Sequence, residues 1–301
     1  MQRLNRKPNL FIIGAPKCGT TTMYHFLGKH PNVFTSKIKE PHYFNTDSNH
    51  RYFFKEKDYL NLFSEATKMH LYNCEASVWY LYSEKAIENI LNFNKDAKFL
   101  ILLRNPVSMF FSLHRELIFG GSETETDPVK AWQLQKERKE GRSVPKSATA
   151  PELLQYGDAC KLGAQVATII NLIPKENLKC LLLEDLKNNP EATYFSVLEF
   201  LDLPKVKLKS YEPVNVRKAR KSKELATVIA QIAHFKRALG IKKGVGIGNR
   251  INSYNVTHKV DEMDQSPEFI TELNNYFHTD IDLLGKLINR DLSHWKYKLE
   301  V

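Results

Sequence analysis

Apolar residues run without a break from Leu10 through Ile13 to Gly14. The run is too short for a buried helix and shows no polar alternation, the pattern of a strand covered on both faces. The loop Ala15-Pro-Lys-Cys-Gly19 follows, and Thr20-Thr-Thr22 opens a helical stretch to about Lys29, closed by His30-Pro31. A second strand candidate, Ala97 to Leu103, is apolar but for Lys98 and leads through Asn105-Pro106 into a helix carrying Phe110 and Phe111. Leu178 to Leu183 reads as a third core strand, and Leu71 to Cys74 as a weaker one. Helical periodicity marks Tyr156–Ile173 and Pro190–Leu201; Val206–Lys223 is a basic loop, and the remainder is mainly helical in pattern. Strands alternating with helices predict an α/β fold with a central, mostly parallel sheet flanked by helices. Residues 120–150 are polar, with one expected helix near Pro128–Lys139, and read as a surface insertion. No repeat and no linker-like stretch divides the chain, so a single domain over 1–301 is expected.

Composition narrows the partners more than the fold. With 42% hydrophobic and 26% charged residues over 301 positions, the chain can bury a core without disulfide or metal staples. This excludes disordered, collagen-like and disulfide-scaffold classes. Lys and Arg number 44 against 34 Asp and Glu, a net charge of +10. Such an excess suits a phosphate-rich cofactor, an acidic polymer, nucleic acid or a membrane face, or is a solvated surface, and charge alone does not choose. The four cysteines form no C-x-x-C pair and read as reduced thiols, which points to a cytoplasmic location. The ten histidines show no clustered ligand spacing, so no metal is expected. No apolar run approaches the ~20 residues of a membrane span. Leu10–Ala15 leads into Pro16-Lys17 without a cleavage site, so neither a transmembrane segment nor a signal peptide is expected.

Two constellations carry chemistry. Gly14-Ala-Pro16-Lys17-Cys18-Gly19-Thr20-Thr21-Thr22 lies between a strand and a helix. There, backbone N–H groups and the helix N-terminus form an anion cradle, Lys17 adds charge and the threonines add hydroxyls. This P-loop-like segment is not a Walker A motif, because its lysine precedes the second glycine. Arg104 stands at the end of a buried strand, with Ser112 eight residues on. An arginine fork and a hydroxyl are suitable donors to a second phosphate.

Together these motifs resemble the sulfotransferases that use 3′-phosphoadenosine 5′-phosphosulfate (PAPS). Pro16-Lys17-Cys18-Gly19-Thr20-Thr21 looks like their 5′-phosphosulfate loop, and Arg104-Asn-Pro106 with Ser112 like their 3′-phosphate motif. Cys74-Glu-Ala-Ser-Val-Trp-Tyr-Leu81, Leu182–Leu186 with Phe200–Leu203, and Asn289–Trp295 continue the resemblance in order. Lys39-Glu40-Pro41-His42-Tyr43-Phe44 is similar to the carbohydrate-directed, heparan sulfate-type branch and its bacterial relatives. Cys74, Ala76, Val78 and Met109 depart from the usual pattern.

The resemblance implies sulfuryl transfer from PAPS to an acceptor hydroxyl, leaving adenosine 3′,5′-bisphosphate. In-line geometry and charge stabilisation on the leaving oxygen are the requirements, and no metal clamp is needed. It places Lys17, Gly19 and Thr20–Thr22 on the 5′-phosphosulfate, Arg104 and Ser112 on the 3′-phosphate, and Arg217, Arg220 and Lys221 in a lid or a solvated basic turn. Trp79 and Tyr80 either line the site or belong to the core, and His114 is structural or acceptor-lining. Glu40 is the family-matched base and His42 its competitor; in an extended stretch both point the same way. A carboxylate beside bound anions is expected to have a raised pKa. The acceptor is expected to be a saccharide, with a lipid or small metabolite as alternatives. A P-loop kinase using Glu184-Asp185 for Mg²⁺ is the competing enzyme class. A nucleic-acid binder is the non-enzyme one, unsupported by any recognition motif. Oligomeric state is not legible.

Overall fold

The computed structural model describes residues 7–214, 219–220, 256–257 and 266–296. Strands β1 (Leu10–Gly14), β2 (Val33–Thr35), β3 (Tyr72–Ala76), β4 (Lys98–Leu103) and β5 (Leu178–Leu182) form a parallel sheet in the order β2-β3-β1-β4-β5. A separate antiparallel pair joins β6 (Ala219–Arg220) to β7 (Val256–Thr257). The helices are α1 (Thr20–Leu27), α2 (Glu56–Leu60), α3 (Ala86–Phe93), α4 (Pro106–Gly120), α5 (Pro128–Gln133), α6 (Gln135–Lys139), α7 (Tyr156–Cys160), α8 (Leu162–Ile169), α9 (Leu183–Asn188), α10 (Pro190–Phe200) and α11 (Pro267–Ile288). The α/β architecture expected from the sequence is therefore the one observed. None of the described helices is long and apolar enough to cross a membrane.

Two compact units divide the chain: Met1–Met109, Ala159–Val214 and Leu273–Val301 in the first, Phe110–Asp158 and Asn215–Glu272 in the second. The first holds the five-stranded sheet. Every residue of β1 is buried, as its continuous apolar run requires in the centre of a parallel sheet. Phe11 stacks on Phe99 of neighbouring β4 with ring centroids 5.9 Å apart. The second unit packs Phe110 against Trp132, Tyr156 and Phe269 at 5.4, 5.2 and 5.8 Å. Within residues 120–150, Glu123, Ala131, Trp132 and Arg138 are buried. Arg138 grips Glu123 with two hydrogen bonds of 2.6 and 2.8 Å, and the Tyr156 hydroxyl donates a third at 2.7 Å. A buried ion pair so fully hydrogen-bonded is a structural clamp.

Two helices differ from the sequence reading. The single helix expected near 128–139 is two, meeting at Leu134. The stretch from Tyr156 is also two helices, because Lys161 leaves the helical region and Asp280 of α11 caps the second. The Asp280 carboxylate accepts the N–H groups of Gly163 and Ala164, each at 2.8 Å.

Candidate active site

The sheet brings the carboxyl ends of three adjacent strands, β3, β1 and β4, to one edge, the edge where open α/β sheets bind ligands. At the end of β1 the chain turns through Pro16–Gly19, with Lys17 at φ +65° and Gly19 at φ +85°. The Ala15 N–H donates to Leu102 O at 2.8 Å, which fixes the loop to β4. Gly19 is required twice over: its φ is left-handed, and a Cβ there would lie 2.8 Å from Leu183 Cδ1. It also precedes α1, whose first turn has neither a side-chain cap nor an acidic residue. An N-terminus left in that condition favours an anion. Thr20 and Thr22 are buried, Thr21 is half-buried, and the Thr22 hydroxyl accepts the Val214 N–H at 3.4 Å. Cys18 is buried, with its Sγ 4.0 Å from Met109 Sδ.

Arg104 follows the last residue of β4, and its guanidinium donates from Nη1 to the Lys17 carbonyl at 3.4 Å. The two motifs of the sequence are thus neighbours in space. Asn105 beside it is fully buried; its Oδ1 accepts the N–H groups of Val107 and Ser108 at 2.9 and 3.1 Å, and its Nδ2 donates to Trp295 O at 2.7 Å. This cap explains why the helix starts at Pro106. Ser112 and His114 fall in the second unit, where His114 is buried with Nε2 2.9 Å from Glu125 O. Arg217 and Lys221 lie outside the described residues, and Arg220 is in β6.

The segment 39–44 crosses the end of β3. It is not extended: Glu40 and His42 adopt φ of +62° and +48°. The expected extended stretch is overridden because the neighbouring strand end fixes the backbone. Glu40 N–H donates to Ala76 O at 2.8 Å and His42 N–H to Ser77 Oγ at 3.1 Å. The two candidate bases nevertheless meet, with His42 Nε2 3.4 Å from Glu40 Oε2 and Lys39 Nζ 2.5 Å from Oε1. Glu40 keeps about a third of its side chain exposed, at 34%, whereas His42 shows 0%. Burial alone would raise the Glu40 pKa, but the His42 hydrogen bond and the Lys39 charge outweigh it and hold the group at about 2. The carboxylate expected to be raised beside bound anions is thus held low by its own neighbours in the chain. Burial lowers the His42 pKa, so its ring is neutral at pH 7. His42 Nδ1 has no hydrogen-bond partner among the described residues, which puts the proton on Nε2, facing Glu40.

Sequence reasoning missed Glu75 as an individual residue. It lies in β3 between Cys74 and Ala76, fully buried, and accepts the hydroxyls of Tyr59 and Tyr80 on Oε2 at 2.8 and 3.0 Å. A carboxylate between Cys74 and Ala76 in a buried strand was the available signal. Burial pushes its pKa up to about 7, against the Ser77, Tyr59 and Tyr80 hydroxyls that favour the charged form. The folded chain thus keeps a proton that the unfolded chain releases near the ordinary value of 4.5. Stability should fall as pH rises from the unfolded to the folded pKa, by about 3 kcal/mol from this group. Melting temperatures of the native chain and of Glu75→Gln across that window check this: the variant should lose the decline, and parallel curves would show Glu75 ionised throughout. Trp79 and Tyr80, at 6% and 0% exposure, belong to the core.

Glu184 and Asp185 are committed within the chain. His294 and Trp295 contact Glu184 at 2.9 and 3.1 Å, and Arg290 forks onto Asp185 at 3.0 and 3.1 Å. Carboxylates so engaged do not fit the magnesium role that a kinase would need.

Residues 7–248 match the family model described as a sulfotransferase domain. Carbohydrate sulfotransferase 15 of Mus musculus is 26% identical over 255 residues, covering 67% of this chain and 45% of its own length. The bifunctional heparan sulfate N-deacetylase/N-sulfotransferase 3 of Homo sapiens is 28% identical over 116 residues, 37% of this chain and 13% of that protein. The chain therefore spans less than half the length of these curated relatives. A crystal structure of a sulfotransferase from Alicyclobacillus acidocaldarius superposes with a TM-score of 0.71 at 23% identity, covering 96% of this chain and 99% of that one, a likeness of fold.

Proposed function

The chain belongs to the sulfotransferase domain family, and we propose that it moves the sulfuryl group of PAPS to a hydroxyl of a saccharide acceptor. The observation that carries this is the convergence of three functional groups at the ends of adjacent strands: the Pro16–Thr22 cradle after β1, Arg104 after β4, and Glu40 over β3. The cradle's N–H groups and Lys17 suit the 5′-phosphosulfate, whose leaving oxygen gains charge as the S–O bond breaks. Arg104 suits the 3′-phosphate by its fork of donors. Glu40, the exposed member of its pair with His42, would take the acceptor's proton while the hydroxyl oxygen attacks sulfur in line.

Two findings support a saccharide. The relatives above include a carbohydrate sulfotransferase and a heparan sulfate N-sulfotransferase. Tyr52 and Phe54 are 50% and 68% exposed, and the Tyr52 ring centroid is 5.7 Å from that of His42. Aromatic faces of this kind give an apolar wall for the C–H face of a sugar ring. Arg51, stacked over Phe54 at 5.1 Å, adds a positive charge for an acidic sugar.

Melting curves with nucleotides test the donor. Adenosine 3′,5′-bisphosphate at ~100 times its Kd adds about 2.7 kcal/mol, and it should stabilise the chain far more than AMP does. Arg104→Ala should remove the difference. Equal shifts with both nucleotides in the native chain would end the 3′-phosphate assignment. Mass spectrometry of oligosaccharides incubated with PAPS and enzyme tests the acceptor, through the gain of one sulfuryl group.

A further inference from the structure

Segment 40–44 carries two successive oddities: non-glycine residues at left-handed φ, Glu40 and His42, separated by a proline. Such backbone persists only where the surroundings over-determine it. Here the surroundings are one stretch of chain. Glu40 N–H is held by Ala76 O and His42 N–H by Ser77 Oγ, while the Tyr80 hydroxyl oxygen accepts both the Tyr43 N–H at 2.9 Å and the Phe44 N–H at 3.2 Å.

A phenol oxygen that accepts two N–H groups must send its own proton elsewhere. That proton goes to Glu75 Oε2 at 3.0 Å. Tyr59, which donates to the same oxygen at 2.8 Å, stacks on Tyr43 with ring centroids 4.3 Å apart and an 11° tilt. Glu75 therefore reaches the segment twice, through one phenol to its backbone and through the other to an aromatic ring. A buried carboxyl is costly, and an apolar side chain of similar volume would serve packing better. What the carboxyl adds is orientation of two hydroxyls.

We propose that Glu75 and Tyr80 are positioning residues for the transfer reaction, a relay that sets the backbone of Tyr43 and Phe44 and thereby aims Glu40 and His42. The proposal rests on the reading of Glu40 as the residue that meets the acceptor. Glu75 itself is fully buried, so its effect on the reaction passes through the segment it holds.

Amide hydrogen exchange on the full chain gives the direct test. In Tyr80→Phe, which keeps the ring and loses the oxygen, the Tyr43 and Phe44 amides should exchange about tenfold faster, the scale for one lost hydrogen bond. The His42 ring resonances should also shift as its contact with Glu40 is disturbed. Glu75→Leu should do the same, Glu75→Gln should stay near native because its carbonyl still accepts the phenol proton, and Glu75→Leu combined with Tyr80→Phe should be no faster than Tyr80→Phe alone. The Kd for adenosine 3′,5′-bisphosphate should stay within about twofold in all of them. Native exchange and unchanged His42 signals in both Tyr80→Phe and Glu75→Leu would overturn the relay. So would a nucleotide affinity that falls in step with the exchange, since that is general loosening. A separate transfer assay on Glu40→Gln keeps the two readings apart: native turnover there removes Glu40 as the base, while exchange at Tyr43 and Phe44 still decides the relay.

Discussion

Lys17→Ala is expected to lower turnover by about 10²–10³, the scale for removing one donor to a developing oxyanion, with a much smaller loss of nucleotide affinity. A charge that neutralises the leaving oxygen interacts more strongly as the S–O bond breaks than before, so its loss falls on kcat. Alanine is the informative substitution. Lys17 holds φ +65°, a conformation equally strained for lysine and alanine but relaxed for glycine. Its carbonyl is held by Arg104 Nη1 at 3.4 Å, a contact that does not depend on the side chain, so the loop should keep its course. Steady-state kinetics with PAPS, paired with calorimetric binding of adenosine 3′,5′-bisphosphate, separate the two effects. Near-native kcat with a raised KM would show that Lys17 binds the donor and does nothing further.

The parts of this site legible in the sequence were those that follow directly from a buried strand. Lys17 and Arg104 come just after the runs Leu10–Gly14 and Phe99–Leu103, where the chain must leave the core and turn polar. The apolar runs themselves were legible because a parallel strand covered on both faces has no room for polar alternation. β2 was not, since Val33–Thr35 is three residues long and gives no periodicity to count. The break before α8 was hidden for another reason: its cap, Asp280, lies 117 residues away from Gly163. The same holds for Glu75, whose partners Tyr59 and Tyr80 give it meaning only in three dimensions. The left-handed turns at Glu40 and His42 carry no glycine or asparagine to announce them. They are imposed by hydrogen bonds from the end of β3. The low pKa of Glu40 was hidden likewise, because the sequence showed Lys39 beside it but not that Lys39 and His42 would both bond its carboxylate.

Glu40→Gln is expected to reduce turnover by about 10²–10⁴ while leaving the affinity for adenosine 3′,5′-bisphosphate unchanged. Glutamine keeps the size and the acceptor oxygen and removes only the basicity. The competing base is placed badly for the role: His42 is fully buried and presents its Nε2 proton to Glu40, so it holds the carboxylate and does not reach an acceptor. His42→Asn should therefore cost clearly less. The low pKa of Glu40, about 2, has the opposite consequence for strength and for availability. At neutral pH the group is always free to accept a proton, yet it is a weak acceptor while Lys39 and His42 both stabilise its charge. The sign can be read from pH–rate profiles. The acid limb follows protonation of Glu40, and Lys39→Ala should move that limb upward from about 2 toward the ordinary carboxyl value of 4.5. Glu40→Gln should abolish the limb along with the rate. Should Glu40→Gln stay nearly active while His42→Asn is dead, the proton leaves the acceptor by way of the histidine, and the pairing observed here serves to orient His42 instead.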